Sequence, residues 1–309
     1  MPPSSVRTFL VFLGFLFVVA AACEPAVNSA TPQASVYRSP AVQLVLQETR
    51  GSPWDLEVAG DLFGLPSGTV RYLTREELLR LFQISATVTD DANFRGPTRI
   101  SGVPLEVLVQ NLSGKPQSHL VVAICKDKYR TDYTRAYIAA HHPVLVLNID
   151  EKPPDGWPQT PAGQNLSMGP YLISHAKFTA DSRNPLHSDE PQIPWGVIRL
   201  EFRDEEKVFG AIAPRGRAAS TAVQLGYHIA KQNCFHCHNM GEEGGQKAAR
   251  SWLVLATWAV ASPDYFSAYI RDPRSKNPKA QMPANPDYDD ATLEALTAYF
   301  RTFRTQEKP

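Results

Sequence analysis

The sequence has no excess of either charge: Lys and Arg together number 31, Asp and Glu number 31, and the formal net charge is zero. That balance excludes a globally basic surface for nucleic acid, and there is no acidic tail. Basic residues cluster only locally, at Arg215-Gly216-Arg217 and from Arg271 to Lys279, where ordinary surface solvation or help in docking a partner are the two readings. Long apolar runs are scarce as well. Behind Arg7 the stretch Phe9 to Ala22 is too short for a comfortable membrane span, and nothing later is apolar enough to cross a bilayer. Internal repeats are absent. Sulfur is sparse, with four cysteines and four methionines, and after His238 the chain has neither His nor Cys.

That last absence decides how Cys234-Phe235-His236-Cys237-His238 is read. C-x-x-C and C-x-H also hold zinc, but a closed zinc site needs four ligands, and nothing downstream completes the set. The run is a C-x-x-C-H haem attachment motif. Cys234 and Cys237 project from the same side of one helical turn, so both sulfurs reach the two vinyl groups along one haem edge. His238 then lies under the iron as proximal ligand through a neutral imidazole nitrogen. His228 and His236 read as surface or packing residues. The expected cofactor is a single covalent haem c.

A methionine at an arbitrary position is core filler. Of the four here, Met1 is in the leader, Met168 is far from the motif, and Met240 is too close to His238 to reach the opposite haem face. Met282 remains. It precedes Pro283 in a polar loop, and the proline biases it toward extended backbone that presents the thioether. Met282 is therefore the expected distal ligand, and His/Met ligation raises the reduction potential. Failing Met282, the iron is open or His-ligated.

Helical signals surround these ligands. Ala219 to Gln232 carries Val223, Tyr227 and Ala230 on one face, with Leu225 and Ile229 on another. Ser262-Pro263-Asp264 starts a second helix that Pro273 ends. Asp289 or Asp290 caps a third, whose buried stripe is Leu293, Leu296, Tyr299 and Phe300. With Gly226-Tyr227 ahead of the motif and Met282-Pro283 beyond it, residues 218–303 resemble the class I cytochrome c family. The resemblance implies an all-α fold in which Gly226 lets the last helix approach closely. One departure stands out. The family places a Gly-Pro-x-Leu carbonyl to accept the proximal histidine's ring N–H, whereas here Gly244-Gly245 lead into Gln246 to Trp252, and the acceptor is not evident.

The apolar run ends in small residues and reads as an export signal over residues 1–22. Ala20-Ala21-Ala22-Cys23 looks like a lipoprotein processing site with Cys23 acylated. A plain signal-peptidase cut, or a Cys23–Cys125 disulfide, fits the same residues; the lipid is preferred because it removes a free thiol from an oxidising compartment. The expected location is the periplasm or cell envelope, tethered to a membrane by that lipid.

The remaining chain divides into a tether (23–48), a first folded domain (49–210), a linker (211–218) and the haem domain (219–309). In the first domain, short runs at Leu56–Leu62, Ile84–Thr89, His119–Cys125, Val144–Ile149, Tyr171–Ser174 and Val197–Phe202 read as strands. Thr74-Arg75-Glu76-Glu77 is a capping box, and Pro104 starts a second helix. Leu56 to Gly60, the Thr74 helix, Ile100 to Leu105, Ala123 to Tyr129 and Gly169 to Leu172, in that order, resemble the molybdopterin-binding domain of the sulfite oxidase family. That resemblance implies an α+β fold. The family's molybdenum ligand, a cysteine, is missing from Ile84 to Asp91, and a hydroxyl does not replace a thiolate. Molybdopterin is therefore not expected, and the domain reads as a degenerate member serving as docking or accessory module.

His141, His142, His175, His187, Asp150 and Glu151 lack metal-ligand spacing and read as surface and loop contacts. Lys126 to Arg130 reads as a solvated turn. Taken together, the residues point to an exported monohaem carrier of single electrons serving a redox partner protein or respiratory complex, rather than an independent catalyst. The rivals are a molybdohaem oxidoreductase of the sulfite dehydrogenase type and a haem sensor with an open iron site.

Overall fold

The computed structural model describes residues 37, 40–115, 119–160, 166–176, 192–216 and 220–303. The expected signal, Cys23, the whole of the tether before Tyr37, the end of the linker and His187 lie outside the described residues.

The first part of the chain is a mixed sheet region. Its strands are β1 Leu46–Gln47, β2 Leu56–Gly60, β3 Arg71–Leu73, β4 Ile84–Val88, β5 Thr98–Pro104, β6 His119–Cys125, β7 Arg130–Thr134, β8 Pro143–Ile149, β9 Tyr171–His175 and β10 Trp195–Asp204. Helices α1 Arg75–Arg80, α2 Leu105–Leu112, α3 Arg135–His141 and α4 Glu205–Gly210 connect or follow them. Thr74 caps α1 as the sequence indicates, its hydroxyl accepting from Glu77 N at 3.3 Å, while the Glu77 carboxylate accepts from Val45 N at 3.0 Å and pairs with Arg80 instead of closing the box. Thr134 caps α3 in the same way, accepting from Tyr137 N at 3.0 Å.

Strand β10 is the branch point. It runs parallel to β2 from Arg199↔Glu57 to Phe202↔Gly60, antiparallel to β6 from Val197 to Asp204, and its start pairs with β9. One path continues β1-β3-β2-β10-β9-β8-β5-β4, while β6 leaves β10 on its own edge and pairs with β7.

Strand β6 explains why its sequence is apolar without alternation. Val121, Ala123 and Cys125 face the core of the sheet region, among Leu56, Leu105 and Phe202. Leu120 and Val122 face the other way, into a second cluster with Val208, Phe209 and Ile212 of and beyond α4 and with Ile229, Phe235, Trp252, Leu296 and Phe300. A strand covered on both faces has no polar side to alternate with.

That second cluster belongs to the helical region: α5 Thr221–Asn233, α6 Trp252–Ala261, α7 Pro263–Arg271, α8 Pro273–Lys276 and α9 Asp290–Arg301. Helices α5, α7 and α9 follow the sequence signals, with Asp289 capping α9 by accepting from Thr292 N at 2.8 Å. Leu293, Leu296, Tyr299 and Phe300 are all buried, as their stripe implies. Helix α6 gave no such signal because it is apolar all round, leaving Leu253, Val254 and Val260 exposed. Gly226 sits where α5 crosses α9. A Cβ there would lie 2.0 Å from Ala295 O, so only glycine admits the approach. Among the described residues no helix is long and apolar enough to cross a membrane.

Candidate functional site

The motif begins where α5 ends. Cys234 is the C-cap of α5, its N–H donating to Ala230 O, and Cys237 N and His238 N both donate to Cys234 O at 3.2 and 3.0 Å. The extra turn places both cysteines beside each other, half-buried and unbonded to other cysteines. Burial holds both thiols neutral, pushing Cys234 up to about 12 and Cys237 to about 11.

His238 is buried, and burial lowers its pKa, which favours the neutral imidazole that binds iron. Its Nδ1 lies 2.6 Å from Arg250 O, which can only accept. The ring N–H therefore sits on Nδ1, and Nε2 keeps its lone pair for a metal. This carbonyl is the acceptor that the sequence left unnamed. It is held because Ala248 N donates to Cys237 O, Trp252 N donates to Asn239 O, and the Arg250 guanidinium lies 4.7 Å over the Trp258 ring. A backbone carbonyl has no residue signature, so only the folded loop reveals it.

Met282 is half-buried and packs on the same apolar cluster as Cys234, in the exposed loop between α8 and α9. Asn285 ties that loop to the end of α7, its N–H donating to Arg271 O and its side-chain amide to Ile270 O, both at 3.1 Å. Neutral thiols, an imidazole with Nε2 free, a thioether and an apolar aromatic surround form a donor set that fits haem c.

The two residues between the cysteines serve a different purpose. His236 is buried, with Nδ1 2.7 Å from Arg130 O, while its own carbonyl accepts from Arg130 N at 3.0 Å. Its ring stacks on Tyr129 at 5.3 Å and 24°. Arg130 sits 5.5 Å over the Phe235 ring. Farther along, Gln246 N donates to Lys128 O at 3.1 Å and Lys247 pairs with Asp127 at 2.7 Å. The turn from Lys126 to Arg130 is thus not simply solvated: Tyr129 and Arg130 bind the loop that carries the motif, and the Arg130 side chain is only 5% exposed. Residues more than a hundred positions apart meet here, which no local pattern announces.

Gly245 closes the loop on itself. A Cβ there would lie 1.8 Å from His236 O.

The other candidates are dispersed. Cys125 is buried on β6, and burial raises its thiol well above the usual range. His142 Nδ1 is 2.6 Å from Glu106, His141 stacks on Tyr137 at 4.3 Å, and His175 Nε2 is 3.0 Å from Tyr137 Oη. Asp150 accepts from Arg99 N at 3.1 Å, and Glu151 pairs with the Arg99 side chain. Among the described residues no three His, Cys, Asp or Glu side chains gather to hold a metal ion.

Residues 221–300 match the family model described as cytochrome c oxidase, cbb3-type, subunit III. The helical region is therefore a cytochrome c domain, for which haem c is the implied cofactor. A curated relative, cytochrome c oxidase subunit 2 of Alkalihalophilus pseudofirmus, is 31% identical over 120 residues, 36% of this chain and 34% of the relative. The chain thus matches about a third of that relative's length. Among solved structures, the sulfane dehydrogenase SoxCD of Paracoccus pantotrophus is similar at a TM-score of 0.34 and 16% identity, covering 51% of this chain and 40% of that one.

Proposed function

We propose that this chain is an exported c-type cytochrome with a single haem c, passing single electrons to or from a redox partner protein or respiratory complex at a membrane surface. The observation that carries the reading is the 2.6 Å contact from His238 Nδ1 to the Arg250 carbonyl, set one residue beyond a pair of half-buried, neutral cysteines. Cys234 and Cys237 would hold the porphyrin by thioethers, and His238 Nε2 and Met282 Sδ would be the axial ligands. When bound, the haem supplies a one-electron couple. The chain supplies the rest. Arg250 fixes the imidazole tautomer, the aromatic cluster from Phe235 to Phe300 excludes water, and the loop of Asn285 presents the thioether.

Residues 49–210 form the accessory domain in this reading, with a fold of the molybdopterin-binding type that has lost its metal thiolate. The β4 stretch Ile84–Val88 and the residues to Asp91 offer hydroxyls and carboxylates but no sulfur. Cys23 carries a lipid that tethers the protein in the periplasm or cell envelope, 23–48 being the spacer.

Acid-acetone extraction followed by a pyridine haemochrome spectrum tests the central point. Haem retained covalently, with iron at one per chain and no molybdenum, is the expected result. Loss of all pigment to the solvent would remove the electron-carrier reading, and molybdenum equal to iron would replace it with the catalytic one. Mass spectrometry of the mature N-terminus reads the lipid on Cys23 separately.

A further inference from the structure

A row of alternating charges crosses the sheet and ends inside the loop that follows the haem cysteines. Glu57 on β2 pairs with Arg199, Arg199 with Glu201, and Glu201 with Arg203 on β10, at 2.5, 2.5 and 2.8 Å. Arg203 then pairs with Glu243 of the haem loop, which also takes Arg130 Nη1 at 2.9 Å, while Arg130 Nε holds Asp132 at 2.9 Å. At the haem end these charges are shielded from water: Arg130, Asp132 and Glu243 side chains are 5%, 4% and 16% exposed.

Such pairing is more than surface decoration. Exposed ion pairs are screened and contribute little, whereas charges out of water act at longer range. The peptide of Arg130 is bonded on both sides to His236, and its guanidinium covers the Phe235 ring. The charge therefore stands beside the two residues that separate the haem cysteines.

We infer that the sheet region sets the reduction potential of the haem through Arg130 and Arg203 and the loop carboxylate they hold, Glu243, at the shielded end of this charge row. This rests on the reading that Cys234 to His238 carry the haem. Reduction removes a positive charge from the iron, so a nearby cation favours the ferrous form and a nearby carboxylate the ferric form. Arg130 and Glu243 are positioning residues: neither would touch iron, and each would act through the field it holds and through the loop it anchors.

Opposite charges predict opposite shifts, which loosening of the loop does not. Potentiometric titration of the full-length holoprotein, followed by the haem absorbance, is the measurement, with a haemochrome assay on each variant to fix its haem content. Glu243→Gln should raise the potential, so that the ferrous-to-ferric ratio at a fixed poise increases several-fold; Arg203→Met should lower it. Asp132→Asn should move with Glu243→Gln. Arg130→Met strands the buried Asp132 carboxylate, leaves Glu243 to Arg203 alone and is the variant most at risk of not folding, so the milder pair carries the test. Unchanged potentials in Glu243→Gln and Arg203→Met, or shifts of one sign in both, would overturn the inference while leaving the haem intact. A wild-type protein without covalent haem would instead overturn the reading beneath it.

Discussion

The two loops proposed to grip the iron are held in unlike ways. The loop from Cys234 to Arg250 is bonded to α6 behind it, to the β6–β7 turn beside it and to itself at Gly245, and two of its members, Phe235 and His236, are almost completely buried. The loop around Met282 leaves Gln281, Pro283, Ala284, Pro286 and Asp287 exposed and is tied mainly through Asn285 and Tyr288 to the end of α7. Local stability follows burial and bonding, so the proximal loop should open only with global unfolding and the distal loop well before it. The difference teaches what the sheet region adds. It fixes the side proposed to carry the covalent and proximal bonds, and leaves the methionine side to the helical region alone.

The hardest test of that contrast is Gly245→Ala. The added methyl would meet the His236 carbonyl oxygen at 1.8 Å and Cys237 N at 2.9 Å, backbone atoms that cannot swing aside as a flexible side chain would. Destabilisation at the upper end of overpacking, about 3 kcal/mol, is expected in denaturant unfolding, with reduced covalent haem. Ala284→Ser in the exposed distal loop serves as the partner substitution and should be near neutral. Equal behaviour of the two would break the comparison.

Met282→Ala comes next in size. The haem should stay attached through Cys234 and Cys237, since neither bond involves the distal loop. Stability should fall by about 1–2 kcal/mol because the side chain is only half-buried. Losing the soft sulfur should lower the reduction potential and open the ferrous iron to carbon monoxide. A variant whose spectrum and carbon monoxide binding match wild type would remove Met282 from the ligand set and leave the distal side to another group.

How far these loops could be read in advance differs in the same sense. Cys234, Cys237 and His238 fall within five residues, apolar spacing marks α5, and a helix start with a proline or an aspartate is local chemistry, so α5, α7 and α9 were legible. Gly226 was legible only through the resemblance to the class I cytochrome c family, which implies a glycine there, and the structure puts it against α9. Six strands of the sheet region stood out as apolar or β-branched runs, whereas β1, β3, β5 and β7 did not: β1 and β3 are two and three residues long, and the sequence of β7, Arg-Thr-Asp-Tyr-Thr, looks polar. What escaped was whatever depends on distant partners. Arg130 and Glu243 are ordinary charged residues until β7 and the haem loop are brought together, and the Arg250 carbonyl has no side chain to betray it. Helix α6 escaped for the opposite reason, having too much apolar character to show a period.

The smallest expected effect sharpens the comparison most, because it separates mobility from ligation. Asn285→Ala removes the amide bonds to Ile270 O at 3.1 Å, half-buried, and to Pro283 O at 3.4 Å, exposed and long, but keeps the Met282 side chain. The half-buried bond dominates, and its loss should cost about 1 kcal/mol. The ferrous spectrum should remain that of His/Met ligation, while carbon monoxide binds faster in stopped-flow mixing, since the thioether must leave before the gas can bind and the loosened loop releases it more often. On the proximal side the matching substitution is Lys247→Met, which breaks the 2.7 Å pair with Asp127 between side chains 42% and 34% exposed. A screened pair of that kind contributes under about 1 kcal/mol, and the other bonds from the β6–β7 turn remain. Its carbon monoxide kinetics should match wild type. If Lys247→Met accelerates binding as much as Asn285→Ala does, the proximal loop is no firmer than the distal one, and the sheet region does not hold it.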